Sequence, residues 1–316
     1  MRSVFEHSVF IHSVGIQRAV ALGLLIVIVA LAVWIFKPKR DSNEPSAASS
    51  AVSASRPITS STTQASKLSE VGPVESDHPL DPVLAMAREA LLHMQQDVAD
   101  YRGKLIKRER ISGILGAEVQ MEFKIRTRRE ASANEPARPL AAYLKFLEPW
   151  SARGREVIWI EGENDNKLIG HEGGFKNLLR VELEPTGMLA MLDNKYPITE
   201  IGLTKLVEKL IEKGERDREV GPCEVQIIEG QTVGDRECRL IQVTHPEPDK
   251  RFDFHIAQIF IDTERMIPLR YAAFLWAEEE GAEPPLEEEY TYLNVELNVG
   301  LTDKDFDPEN PAYKYP

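Results

Sequence analysis

The chain has 316 residues and a net charge of −13. The first 77 residues hold seven Lys/Arg and six Asp/Glu, so the acidic excess belongs entirely to residues 78–316. This acidity argues against nucleic acid as a partner and against electrostatic binding to an anionic lipid surface, because both carry negative charge.

One apolar segment near the amino terminus predicts a membrane anchor. Residues 19–36 contain no charge and no proline, and a basic cluster follows directly. As a helix, this segment spans a hydrocarbon core of roughly 30 Å. The alternative is a cleaved signal peptide, whose apolar region is usually shorter and ends at small residues. The flanking charges do not settle the orientation. We expect a single-pass inner-membrane protein with its carboxy-terminal domain in the periplasm.

The chain divides into four parts by composition. Residues 37–77 are rich in Ser, Ala, Thr and Pro and cannot bury enough apolar surface to fold. We expect a disordered linker with a mean reach of about 30–35 Å. The rest has the length of one domain. The predicted parts are a cytoplasmic segment 1–18, the anchor 19–36, the linker 37–77 and the domain 78–316.

Two amphipathic helices are predicted in the domain. The first has Asp81 as its N-cap and Pro82 at the first helical position, and apolar residues then recur at helical spacing up to Val98. The second runs from Thr199 to Gly214, which we expect to terminate it.

The remainder of the domain has the two-residue alternation of β-strands. It is clearest at residues 117–127, where apolar and polar residues take turns. Strands that follow each other in sequence usually pair. We therefore predict an α+β fold with one large, curved antiparallel sheet of nine or ten strands, whose concave face is covered by helices. The other predicted strands are 101–110, 140–147, 155–161, 167–171, 177–183, 223–229, 237–245, 257–262, 267–277 and 288–297.

Several stretches resemble an uncharacterised bacterial family of envelope proteins. The fullest is EEEYTYLNVELNVGLTDKDFDPENPAYKY at residues 287–315, together with REVIWIEGENDNKLIGHEGG at 155–174. The resemblance implies a tethered domain distantly similar to the LolA-type lipoprotein carriers and RseB-type sensors. Those proteins have a curved half-barrel sheet around an apolar pocket for acyl chains. The predicted anchor departs from a soluble carrier, which must diffuse across the envelope.

Twelve apolar residues are the candidate ligand-binding set. Eight alternate along predicted strands and are expected to share the concave surface. Four belong to a methionine-containing segment between Pro185 and Pro197 and are expected to form a lid, because methionine adapts to apolar guests. The alternative for these four is ordinary core. The set is Val119, Met121, Phe123, Ile125, Leu144, Phe146, Ile158, Ile160, Met188, Leu189, Met191 and Leu192.

The sequence offers no convincing catalytic or metal site. His171 precedes a carboxylate but lacks the second histidine of a zinc helix, so we expect a surface turn. The acidic run from Asp303 to Glu309 lacks the glycine and final glutamate of a calcium loop. There we expect turns, with Phe306 and Tyr313 holding the tail on the sheet. The two cysteines could pair or be buried free thiols. No cofactor is expected.

These patterns favour a non-catalytic, membrane-anchored periplasmic protein that binds an acyl chain, lipid or lipoprotein. The alternative is an envelope protein-interaction or scaffold module with a filled core and no small ligand. An enzyme of unknown type comes third. The expected partners are the inner membrane, lipid or lipoprotein acyl chains and another envelope protein, without nucleic acid.

Overall fold

The computed structural model describes residues 78–131, 136–279 and 281–316. Among these residues no helix combines the length and apolar character needed to cross a bilayer. The predicted anchor 19–36 and linker 37–77 lie outside the described residues.

The described residues form two α-helices and twelve β-strands. The helices are α1 (Leu80–Asp97) and α2 (Leu203–Val220). The strands are β1 (Asp100–Ile111), β2 (Ile114–Leu115), β3 (Val119–Arg126), β4 (Ala141–Glu148), β5 (Glu156–Ile160), β6 (Leu168–His171), β7 (Val181–Leu183), β8 (Glu224–Val233), β9 (Arg236–Thr244), β10 (Ile256–Asp262), β11 (Pro268–Phe274) and β12 (Leu286–Leu297).

All strands join one large, open antiparallel sheet, as predicted. Its order is β7-β6-β5-β4-β3-β1-β12-β11-β10-β9-β8, with the short β2 paired to β1. The sheet is thus two meanders, β3–β7 and β8–β12, joined where β1 pairs with β12. We call them the first and second halves. The count exceeds the predicted nine or ten: all eleven segments with strand alternation form strands, and the β1–β3 turn adds the two-residue β2.

The two helices run antiparallel against one face of the sheet. Arg88 lies 2.7 Å from Glu215, and Asp81 lies 2.6 Å from Arg218. The predicted end of the second helix at Gly214 is wrong, because the helix continues to Val220. A Cβ at this glycine would lie 2.9 Å from Leu84 of α1, so the glycine allows the helices to approach closely.

The first helix begins one residue before the predicted cap. Leu80 opens it, and Asp81 lies in its first turn, where its carboxylate accepts a hydrogen bond from the backbone N–H of His78. Val83, Leu84, Ala90 and Met94 are buried on one stripe, which confirms the predicted amphipathic face.

The other face of the first half is covered by the C-terminal tail, residues 298–316. Phe306 is 1% exposed, and the ring of Tyr313 stacks on Tyr143 at 4.1 Å. Lys124 donates hydrogen bonds to Asp305 and to Tyr313. The predicted role of Phe306 and Tyr313 in holding the tail is confirmed by these contacts.

Candidate functional site

An apolar cavity lies between the helix pair and the second half of the sheet. Its volume is about 90 Å³, and only two of its eighteen lining residues are charged. Strands β9 and β10 supply alternate apolar residues that face the helices, because antiparallel pairing keeps register partners on one face. The principal lining residues are Leu80, Leu84, Ala87, Val207, Leu210, Ile241, Val243, Ala257 and Ile259.

The two charged lining residues are Lys213 and Asp217, both from α2. The ammonium of Lys213 lies 3.5 Å from Glu288 and 3.6 Å from Asp253. Asp217 is 1% exposed, and its Oδ2 lies 3.2 Å from Nε2 of the buried His245. A buried carboxylate needs such hydrogen-bond partners, because burial without them is unfavourable. The apolar cavity therefore has a polar edge along α2.

A network of buried polar side chains continues from this edge on strands β1, β11 and β12. Glu288 is 2% exposed and accepts hydrogen bonds from Tyr196 at 3.0 Å and Tyr271 at 3.3 Å. The ammonium of Lys195 lies 3.0 Å from the same carboxylate. Burial raises the pKa of both tyrosines, and the charge of Glu288 adds to the effect, so both remain protonated donors.

Glu109 is the second buried carboxylate of this network and the register partner of Glu288. It accepts hydrogen bonds from Tyr290 at 2.5 Å and from Lys107 at 2.8 Å. Burial, followed by the charge of Glu109, raises the pKa of Tyr290. We call these residues the polar belt: Lys107, Glu109, Lys195, Tyr196, Tyr271, Glu288 and Tyr290.

The segment that contains the predicted lid is attached to this belt. Residues 184–202, which we call the strap, connect β7 to α2. Lys107 donates a hydrogen bond to Asn194 at 2.8 Å, and the strap itself contributes Lys195 and Tyr196 to the belt. Met188 is 77% exposed, whereas Leu189, Met191 and Leu192 are half-buried. The four predicted lid residues therefore lie in the strap and none of them lines the cavity.

Six of the predicted strand residues do share the helix-covered face, but they are packed as core. Met121, Phe123, Ile125 and Leu144 are buried in the largest apolar cluster, and Val119 and Phe146 pack against it. The Phe123 ring contacts Tyr101 and Tyr292 edge-on, each at 5.7 Å between ring centroids. None of the six lines the cavity. Their participation in ligand binding stays a prediction.

The placement of Ile158 and Ile160 on that surface is wrong. Ile158 pairs with Tyr143, and Ile160 pairs with Ala141, all on the opposite face under the C-terminal tail. Their neighbours Val157 and Trp159 face the helices instead. Strand β5 is apolar on both faces, so its alternation alone could not tell which face lies inside.

Sequence reasoning expected an apolar surface under the helices but placed it on the strands of the first half, and it missed the polar belt. The cavity in the second half had only a weak local signal: Gln242 separates Ile241 from Val243, and Gln258 separates Ala257 from Ile259. The belt had none. Glu109 and Glu288 are 179 positions apart and stand within charged runs that are typical of solvated surface.

The weak catalytic candidates are engaged in structural contacts. His171 is the last residue of β6 and fully buried, so the expected surface turn is wrong. Its Nδ1 lies 2.8 Å from the carbonyl oxygen of Glu172, and its ring packs against Tyr315 of the tail. Asp303 pairs with Arg126, and Asp305 pairs with Lys124. Within the described residues no group of His, Cys, Asp and Glu is arranged to hold a metal ion.

Both cysteines are buried free thiols. Burial raises the pKa of Cys223 and of Cys238 to about 11. A thiol with such a pKa is protonated at neutral pH and therefore a poor nucleophile.

The family comparison identifies the relationship of this chain. A family model described as "Protein of unknown function (DUF1571)" matches residues 98–315, from the end of α1 into the tail. The chain belongs to this family. No curated protein matches it. The predicted resemblance to an uncharacterised family is confirmed.

Solved structures with related architecture have low sequence identity. A putative outer membrane lipoprotein-sorting protein domain from Vibrio parahaemolyticus is 10% identical, with a TM-score of 0.32 over 71% of this chain and 95% of that chain. The lipoprotein LppX of Mycobacterium tuberculosis is 15% identical, with a TM-score of 0.38 over 72% and 100%. The matched chain of the MucA/MucB complex of Pseudomonas aeruginosa is 12% identical, with a TM-score of 0.40 over 71% of this chain and 60% of that chain.

Proposed function

We propose that this DUF1571 protein is a membrane-anchored envelope protein that binds an apolar ligand without catalysis. The ligand class is an acyl chain, as a free lipid or as part of a lipoprotein. The observation that carries the proposal is the cavity under the helix pair, whose wall is apolar except for Lys213 and Asp217. Residues 19–36 would hold the chain in the inner membrane, with the domain in the periplasm.

Burial of apolar surface would supply the affinity. Each methylene of an acyl chain gains about 0.8 kcal/mol when it leaves water, before ordering costs are subtracted. The cavity of about 90 Å³ is smaller than the roughly 300–1,000 Å³ of common small-molecule pockets. A long chain would therefore require α1 and α2 to move away from the sheet. The Arg88–Glu215 ion pair between the helices is exposed and contributes little resistance to a movement of α1, whereas α2 is also held by Lys213 beside Glu288 and by Asp217 beside His245.

The twelve predicted residues take different roles in this proposal. The six that face the helices on β3 and β4 would extend the apolar surface once the helices move. The strap residues Met188, Leu189, Met191 and Leu192 would cover the opening as a lid. Ile158 and Ile160 have no role in it, because they face the C-terminal tail.

A filled-core interaction module is the second candidate. It is favoured by the dense packing beneath the first half, where Met121, Phe123 and Ile125 are each at most 2% exposed. Such a module would bind another envelope protein through its surface and would take up no acyl chain.

Titration of the full-length protein with a fluorescent fatty acid tests the proposal. Ala87 lines the cavity, whereas Ala85 is exposed on the same helix. We expect saturable binding that Ala87→Trp weakens at least several-fold, because the indole fills the cavity. The matched control Ala85→Trp should bind like the wild type. If the wild type shows no saturable binding across several chain lengths, the ligand-binding proposal is wrong and the interaction module is favoured.

A further inference from the structure

Large exposed apolar side chains are concentrated at one end of the first half. Strands β1, β4 and β6 all finish at this end, so the turns 112–118, 149–155 and 172–180 lie side by side along it. Each turn presents at least one such side chain. They are Ile114 at 56% exposure, Trp150 at 71%, Phe175 at 80%, Leu178 at 72% and Leu179 at 62%.

The turns 149–155 and 172–180 are in direct backbone contact. A Cβ at Gly173 would lie 2.2 Å from the carbonyl oxygen of Arg153 and 2.6 Å from the carbonyl carbon of Gly154. Only glycine permits this approach. Trp150 and the group around Phe175 therefore lie on adjoining turns, and we call these four residues the apolar tip: Trp150, Phe175, Leu178 and Leu179. Clusters of exposed apolar side chains are typical of protein or membrane interaction sites.

The chain enters the domain at the same end of the sheet. Leu80, at the start of α1, packs in one cluster with Val243 and Phe254, which flank the β9–β10 turn. Antiparallel pairing places this turn at the same end as the apolar tip. The 77 residues before the described domain include the apolar segment 19–36, and 41 residues separate that segment from residue 78.

We propose that the apolar tip docks on the bilayer that holds the chain's own anchor. This rests on the anchoring part of the proposed function but not on ligand binding. Tryptophan favours the membrane interface, where its ring is in apolar surroundings and its N–H meets water. The three turns of the first half hold four Lys/Arg and two Asp/Glu, so the acidity of the whole domain does not extend to this end of the first half. Docking would aim the entry end of the domain at the lipid.

Fluorescence quenching on the full-length protein in phosphatidylcholine vesicles tests the proposal. An environment-sensitive dye is attached to Leu178→Cys, or to Leu92→Cys as the matched control. Leu92 is an exposed leucine on α1 at 57% exposure. The native cysteines are buried and leave the introduced thiol as the accessible one. Nitroxide-labelled lipid should quench the dye at position 178 several-fold more strongly than at position 92. Phe175→Ser combined with Leu179→Ser should reduce that difference.

The remaining outcomes separate docking from anchoring. Equal quenching at positions 178 and 92, in protein that alkaline carbonate leaves in the vesicles, overturns docking and leaves the anchor intact. Release of the protein by carbonate overturns the anchor and docking together. Dye at position 178 that is shielded from water but not quenched, with chemical cross-linking into dimers, would assign the apolar tip to a second copy and overturn docking on lipid.

Discussion

Both halves of the sheet have strands with alternating residues, but the space between sheet and helices is filled in the first half and contains a cavity in the second. Beneath the first half, large apolar side chains fill the space under the helices, and the C-terminal tail covers the opposite face. Beneath the second half, the helix pair leaves a cavity, and its lining residue Lys213 lies 3.5 Å from Glu288 of the polar belt. Alternation decides that a face is covered, but the sizes of the side chains decide whether the covered space is filled.

At the end of the sheet where the chain enters the domain, the turns of the two halves differ in charge and in exposed apolar side chains. Those of the first half carry the apolar tip, whereas turns 245–255 and 275–285 of the second half hold two Lys/Arg and seven Asp/Glu. No large apolar side chain among the described residues of these two turns is exposed. In the two proposals above, the first half supplies the filled core and the contact with lipid, and the second half supplies the ligand cavity.

The largest expected effect is in the filled core. Phe123→Ala should lower the free energy of unfolding by about 3–5 kcal/mol, because it opens a cavity in dense packing. Ile259→Ala removes a partly buried side chain beside the existing cavity. It should lower the free energy of unfolding by roughly 1–2 kcal/mol less than Phe123→Ala does. Urea denaturation of both variants measures the difference. Equal losses would mean that the second half is packed as tightly as the first.

The polar belt should give the next largest effect. Glu288→Gln removes the charge that faces Lys195 and Lys213 and should cost about 3 kcal/mol, because two partly buried ammonium groups lose a partner. Glu287→Gln is the matched control, since its side chain is 18% exposed and its loss leaves Glu288 beside Lys195. It should cost about 1 kcal/mol or less. Thermal unfolding that ranks the two the other way would contradict the central place of Glu288.

The smallest expected effect is the pH dependence of the tail. Burial raises the pKa of Asp305, but hydrogen bonds from Lys124 and Thr302 outweigh it, and the net result is a pKa below the ordinary 3.8. A carboxylate with a lowered pKa contributes stability above its unfolded pKa, and that contribution is lost as the pH falls through the folded value. The wild type should therefore lose tail contacts below about pH 4.

Asp305→Asn tests this assignment, with Asp307→Asn as the control on an exposed neighbour. The first variant should show a smaller loss of stability between neutral pH and pH 3, by about 0.5 kcal/mol. The second should follow the wild type. Hydrogen exchange of the tail amides across this range reports the contact directly, and a pH profile unchanged by Asp305→Asn would contradict the role of its charge.

Much of the fold could be predicted from local pattern. Alternation located eleven of the twelve strands to within a few residues, and helical spacing located both helices, because these periods follow from backbone geometry. The errors arose where two readings satisfy one pattern. The glycine at position 214 suggested the end of a helix, but it lies within α2 and allows close packing against Leu84. The alternation suggested that Ile158 faces the helices, but it packs under the C-terminal tail.

The sequence by itself determined the class of fold, the antiparallel sheet, the family and the tail contacts of Phe306 and Tyr313, because each depends on local periodicity or on a contiguous motif. Only the tertiary structure decided which face of β5 is inside, where the cavity lies, and that Glu109 and Glu288 meet under the strap. These are properties of distant segments brought together, and side-chain size and charge act there through neighbours that no local pattern specifies.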